Sequence, residues 1–516
     1  MTTTTSDVTD LLLVSPHDDV AVALHEIPEG HRARTSAGAT VPVLGADGGG
    51  PVPAGHKVAL RRMAAGDLVH KYGQVIGVLT ADVELGGHIH SHNLGMPERA
   101  SREGVEKAAV KPGFAQTRER TFQGIVRADG SVATRNYIGI LTSVNCSATV
   151  AKLIARQFDG VDLPGIDGVV ALTHTSGCGL ADEGMGWDIL RRTLSGYAQH
   201  VNIAGLVVVG LGCEINTVQG LMEHIGQIDK PVVDFTIQEL GGSREAIARG
   251  AEVVKALADQ VGVTQRQPVG LDKLVLGLQC GGSDAWSGMS ANPVLGYASD
   301  AIVAAGGTSI LGETPEVFGA EHLLAARATD PEVAAELLRR IDWWEEYTAS
   351  HGTTMDGNPS AGNKAGGITT IVEKSLGAVV KAGHAPLSAV VDYAAPLRTG
   401  MGLVHMDTPG YDPVSATGMV AGGANLICFT TGRGSVFGSK PAPTIKIATN
   451  STMATAMAGD MDMDCGAVVD GRATIPELGE KLLDLICAVA SGERTFSEEL
   501  GAGSEEMVPW QIGAVL

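Results

Sequence analysis

The chain has 516 residues and a formal net charge of −21, from 58 acidic and 37 basic side chains. That balance weighs against nucleic acid or an anionic membrane as the main partner. Hydrophobic residues at 44% and charged residues at 18% describe a globular protein, long enough for about three domains. Seven cysteines are an odd number and too few for a disulfide scaffold, so reduced thiols and a cytoplasmic protein are predicted.

The start, MTTTTSDVTD, has no basic segment of the kind that opens a signal peptide. No apolar run approaches the ~20 residues of a membrane span. Residues 11–93 read as a small all-β module. Val20–Leu24, Lys57–Leu60 and Val75–Val78 are strand-like, and GADGGGPVPAG is a turn signal. Residues 94–120 are polar, charged and bounded by proline, as in a linker.

From Phe122 onward, apolar runs alternate with helical patterns, which predicts α/β units with largely parallel sheets. Helices are predicted at Ala148–Phe158, Gly184–Leu194, Ser299–Ala305 (after an Ala-Asn-Pro turn) and Glu332–His351. A break at Thr264–Pro268 divides this half into a second domain, 121–265, and a C-terminal domain, 266–516.

Four cysteines follow strand-like runs. Tyr137–Val144 precedes Cys146, Gly168–Leu172 precedes Cys178, Leu206–Gly210 precedes Cys213, and Leu274–Leu278 precedes Cys280. In an open α/β sheet such ends converge on the ligand crevice. Thiolates from Cys178, Cys213 and Cys280 would suit a soft metal or an iron–sulfur cluster; the alternative is cysteine packed as a small hydrophobe. In GGHIHSHN, period-2 spacing puts His88, His90 and His92 on one face of a strand, a ligand or catalytic arrangement for a divalent ion.

Glycine-rich polar turns fill the C-terminal half, among them LQCGGSDAWSG, NPSAGNKAGGITTIVEKSLG, FTTGRGSVFGSK and PTIKIATNS. Backbone N–H groups with cations or amides suit carboxylate and hydroxyl recognition. The substrate-binding candidates are Ser283, Asp284, Asn363, Arg433 and Lys446; Lys364, Glu373 and Lys374 offer acid–base groups. His174, close to Cys178, is a candidate general base. No turn has Walker or dinucleotide spacing, so a nucleotide cofactor is not indicated.

These segments, in this order, resemble the altronate/galactarate dehydratase family. The resemblance is carried by GHKVAL, KYGQVIG, GGHIHSHN, ADGSVATRNYIGI, HTSGCG, GLGCE, QCGGSDAWSGMSANP, GNKAGGITTIVEKSLG, FTTGRGSVFG and PTIKIATNS, and runs from Val20 to about Val508. It implies an N-terminal SAF (β-clip) module, a second domain and a C-terminal catalytic domain. HIHSHN and EVFGAEHLL are more similar to the altronate-dehydrating branch. The implied reaction is dehydration of a sugar acid, D-altronate to 2-keto-3-deoxy-D-gluconate, dependent on iron(II) or manganese(II).

Ala361 stands where the family pattern carries proline, and Cys465 where it carries alanine. The implied alternatives are another aldonate or aldarate, or sulfite elimination. In the mechanism expected at this level, metal on His88 and His90, or on the cysteine set, assists the elimination. Lys364 or His174 is the base, and Arg433 with Lys446 holds the carboxylate. The non-enzymatic alternative is a sensor of sugar acid or metal. A homodimer is the default expectation for a soluble enzyme.

Overall fold

A computed structural model describes residues 9–98 and 118–513. Most of the stretch expected to be a linker therefore lies outside the described residues. The N-terminal module is built from small antiparallel sheets. One orders the strands Leu11–Leu12, Val20–Ala23, Lys57–Ala59 and His88–Ile89; another joins Leu68–Lys71, Gln74–Leu79 and Leu94–Gly95. The Leu68–Lys71 hairpin turns through Tyr72 and Gly73, with φ of 61° and 68°. Two successive left-handed residues match the right-handed twist of a two-residue hairpin. That turn fixes the register of Lys71. Pairing of Val58 with His88 brings the GHK segment beside HIHSHN.

The second region carries a four-stranded parallel sheet, ordered Gly168–Leu172, Tyr137–Thr142, Ile203–Gly210, Val232–Thr236. Every residue of Tyr137–Thr142 and Ile203–Gly210 is buried, as continuous apolar runs covered by helices on both faces require. Thr121–Val126 leaves this sheet aside and pairs antiparallel with Gln267–Gly270. Gln267 and Pro268, the end of the TQRQP segment, open this edge strand, and the edge position tolerates Pro268.

Seven parallel strands form the C-terminal sheet, in the order Leu387–Val391, Gly402–Met406, Thr308–Leu311, Val275–Cys280, Leu426–Thr431, Thr444–Ala448, Met463–Asp464. After Val275–Cys280 the chain builds to one side, then returns at Leu426–Thr431 to build the other. The order reverses at the carboxyl ends of these two central strands, where open α/β sheets bind ligands. The helix expected from Ser299 starts earlier, at Ala291. Pro293 falls in its first turn, where the missing N–H would have had no intrahelical partner. Among the described residues, no helix is long and apolar enough to cross a membrane.

Candidate active site

The central strand Val275–Cys280 runs directly into Gly281-Gly282-Ser283-Asp284 at the switch point. Asp284 is buried; its carboxylate accepts from Ser287 N (3.0 Å), Trp286 N (3.1 Å), Thr449 Oγ1 (3.0 Å) and Asn450 Nδ2 (3.1 Å). No cation pairs with it among the described residues, and burial pushes its pKa up to about 6 despite those bonds. Gly432, at the end of the neighbouring strand, packs against it so closely that a Cβ would lie 2.1 Å from the Asp284 carboxyl carbon. Backbone approach of this kind needs glycine.

The segment 363–367, which runs from the short helix Ala361–Ala365 into a glycine loop, lies over this turn. Asn363 Nδ2 donates to Ser283 O (2.8 Å), and Ala285 N donates to Gly366 O (2.9 Å). On its other side the same segment meets the N-terminal module. His90 Nε2 donates to Lys364 O (2.9 Å), His56 Nε2 approaches Ala365 O (3.4 Å), and Lys57 Nζ donates to Gly367 O (2.7 Å). His56 Nδ1 and His88 Nε2 are 3.0 Å apart, and the rings of His56 and His90 stack at 4.6 Å. Burial, then the neighbouring imidazoles, lowers His88 to about 3; burial and Lys57 lower His90 to about 4. Burial also lowers His56. The cluster is therefore neutral at pH 7, the form in which imidazole binds metal.

Glu373 and Lys374 are neighbours on the helix Ile371–Ala378, and each serves a different cluster. The buried Glu373 carboxylate takes Lys57 at 2.9 Å and Lys71 at 2.9 Å, and also accepts from Thr369. Burial would raise its pKa, but the two ammoniums hold it well below the usual carboxylate range. Two lysines share one carboxylate, and burial, with the Lys71 ammonium beside it, drops Lys57 to about 8.

Lys374 Nζ reaches Glu316 (2.7 Å) and Asn358 (2.6 Å). Beside it, Lys381 Nζ sits 2.8 Å from Cys280 Sγ and 2.7 Å from Glu313. Glu313 holds a left-handed φ of 63°, a strained conformation for a residue with a side chain. Burial and the nearby carboxylates push Cys280 up, and burial pushes Glu313 up to about 8. At Glu316 burial is outweighed by Lys374 and Lys381, which lower it, so Glu316 carries the negative charge of the cluster.

Among the described residues, Cys280, Glu313 and Glu316 are the one group of three ligand-type side chains with donor atoms within 4.8 Å of each other. A thiol with carboxylates suits a divalent transition ion, but Lys381 Nζ occupies the cation position between Cys280 and Glu313. The His56–His88 pair, two neutral imidazole nitrogens 3.0 Å apart, fits an ion such as iron(II) or manganese(II) without displacing a charge.

The structure thus gathers Ser283, Asp284, Asn363, Lys364, Glu373, His88, His90 and Cys280 around the C-terminal switch point. Arg433 is exposed at the same edge, with its Cβ 3.3 Å from the Cβ position of Gly282. Lys446 is mid-strand and buried, its Nζ 3.8 Å from Asp460. His174 is buried on the other sheet; its Nε2 bonds Thr142 O (3.0 Å) and its Nδ1 accepts from Ser176 N (3.2 Å), leaving neither nitrogen for a substrate. Cys178 and Cys213 follow strands of that other sheet, apart from Cys280.

Sequence reading missed His56, Lys57, Lys71, Glu313, Glu316 and Lys381. GHK carried the signal for the first two, since it pairs in register with HIHSHN. A buried cavity of about 10 Å³ among Lys71, Asp284, Glu373 and Lys374 has room for about one water.

A carboxyl-edge site combining a buried carboxylate without an ion pair among the described residues, neutral imidazoles and lysines defines an acid–base enzyme of the α/β class. The second-domain pattern of D-galactarate dehydratase/altronate hydrolase matches residues 124–262. The C-terminal pattern of D-galactarate/altronate dehydratase matches 271–515, and the altronate/galactarate dehydratase SAF domain matches 9–97. The altronate dehydratase of Escherichia coli (strain K12) is 37% identical, over 93% of this chain and 95% of that protein. That of Bacillus subtilis (strain 168) is 32% identical, over 94% and 96%. The galactarate dehydratase (L-threo-forming) of Escherichia coli (strain K12) is 36% identical, over 87% and 88%. The chain belongs to the D-galactarate/altronate dehydratase family and is an enzyme of the lyase class.

Proposed function

We propose that the enzyme is a hydro-lyase that converts D-altronate to 2-keto-3-deoxy-D-gluconate, working in the cytoplasm as a homodimer. The observation that carries this reading is the 363–367 segment, the end of the helix Ala361–Ala365 and the glycines after it. It is held between the Asp284 turn on one side and His56, Lys57 and His90 of the N-terminal module on the other.

Arg433 and the glycine-rich N–H groups at the strand ends hold the substrate carboxylate. Asp284, ionised above about pH 6 and free of an ion pair among the described residues, takes the proton from C2. Lys364, whose backbone carbonyl His90 holds, donates the proton that lets the C3 hydroxyl leave as water. The resulting enol tautomerises to the 2-keto acid, taking one solvent proton at C3. Divalent iron or manganese, when bound by His56 and His88, supplies Lewis-acid polarisation of a substrate oxygen. Glu373, saturated by two lysines and Thr369, positions the module rather than moving a proton.

The test is a keto-acid colour assay with added iron(II) or manganese(II) on D-altronate, galactarate, other aldonates and sulfolactate. Keto acid from D-altronate in preference to the diacid supports the reading. Turnover of galactarate alone, or of none of the panel, overturns it.

A further inference from the structure

Outside this site, Cys146, Cys178 and Cys213 follow three adjacent parallel strands, in the sheet order Gly168–Leu172, Tyr137–Thr142, Ile203–Gly210. All three are free and exposed, whereas cysteine is ordinarily among the most buried residue types. Cys280, Cys428 and Cys465 of this chain are buried.

The three turns are tied into one cluster. Asn145 N donates to Ser176 O (2.9 Å), and Asn216 N donates to Gly177 O (3.2 Å). Asn216 Nδ2 donates to Ser143 O (2.9 Å), and Ser143 Oγ donates to Glu214 (2.8 Å). The Glu214 carboxylate in turn accepts from the N–H groups of Gly212 (2.6 Å) and Cys213 (2.9 Å). Gly177, at φ 97°, lies so close to the Cys146 turn that a Cβ would sit 2.5 Å from Ser143 O. The polar side chains of these turns therefore serve to hold backbone. None donates to or accepts from the three thiols among the described residues.

We propose that Cys146, Cys178 and Cys213 bind a cubane iron–sulfur cluster on the carboxyl edge of the second sheet, each thiolate on its own iron. A single tetrahedral ion requires thiolates about 4 Å apart, from a metal–sulfur distance of about 2.3 Å. These three thiols are not among the described ligand groups whose donor atoms lie within 4.8 Å of one another, so they do not make a single-ion site. Binding releases the three thiol protons, and the fourth iron takes a ligand other than cysteine. The assignment replaces Cys280 of the expected set with Cys146. It is independent of the dehydration reading.

The test is anaerobic reconstitution of the full-length chain with iron(II) and sulfide, then analysis of iron, acid-labile sulfide and zinc. About four irons and four sulfides per chain are expected, with broad visible absorption. Cys146→Ser, Cys178→Ser and Cys213→Ser should each lose it, while Cys487→Ser, on a helix of the C-terminal domain, keeps it. As a check needing no variant, the three thiols of the reconstituted wild type should resist alkylation and become reactive once the cluster is removed. Absence of iron and sulfide, one zinc per chain instead, or an unchanged cluster in all three variants overturns the proposal.

Discussion

Replacing Glu373 by glutamine keeps its volume and removes the one anion between two buried ammoniums. Glu373 accepts Lys57 at 2.9 Å, Lys71 at 2.9 Å, and Thr369 N and Oγ1 at 2.8 and 2.6 Å. A glutamine oxygen can retain Thr369, but its NH2 group would face a lysine donor. Removing one partner of a buried ion pair costs about 3–5 kcal/mol. Neutralising Lys57, already lowered to about 8, would cost about 1.4 kcal/mol at pH 7 and would still leave Lys71 unpaired. The loss should fall on docking of the N-terminal module, because Lys57 and Lys71 belong to it and Glu373 does not.

Hydrogen exchange should accelerate in 57–59 and 68–71 more than in the central C-terminal strands. Urea unfolding should give a loss of about 3–5 kcal/mol. The pH dependence gives an internal control. The folded pKa of Glu373 is depressed, so its stabilisation is present above its ordinary value of 4.5 and is lost as pH falls below it. That acid-side loss should shrink in Glu373→Gln. A cost under about 1 kcal/mol, or exchange unchanged at the module, would refute the reasoning.

Asp284→Asn should lower kcat by about 10²–10⁴-fold with the fold retained, read by steady-state kinetics and circular dichroism. Because burial raises Asp284 to about 6, wild-type kcat/KM should fall as pH drops through that value and the carboxylate protonates. His56→Ala and His88→Ala should each weaken the metal dependence of turnover by about 10–100-fold, measured by titrating manganese(II) into chelated enzyme, while His92→Ala leaves it near wild type. Gly432→Ala should abolish turnover, since its Cβ would sit 2.1 Å from the Asp284 carboxyl carbon; normal kinetics would show that the turn has room to move.

Local patterns were legible wherever a single segment carries its own period. The Gly168–Leu172 run is a strand with those bounds, and the Glu332–His351 pattern is the helix Pro331–Ser350. In HIHSHN the strand expected from the period covers only His88–Ile89 and the chain turns from His90, although the His88 and His90 rings still come together at 5.6 Å. What could not be read was pairing across distance. His56 and Lys57 join the site because Val58 pairs with His88, and Lys71 joins through its hairpin and Glu373. A lone lysine in a strand reads as surface charge until its carboxylate partner, far along the chain, folds over it. The cysteines show the same limit: all four follow strands, but sequence does not say that Cys280 belongs to a different sheet from the other three.

The central claim, proton removal from C2 and loss of the C3 hydroxyl at the Asp284 turn, is tested most directly by turnover of D-altronate in D2O, followed by mass spectrometry and NMR of the product. The wild type should release 2-keto-3-deoxy-D-gluconate with one deuterium at C3, and Asp284→Asn should release almost none. A C3 position carrying only substrate hydrogen would mean internal hydride transfer and contradict the account, as would undiminished turnover by Asp284→Asn.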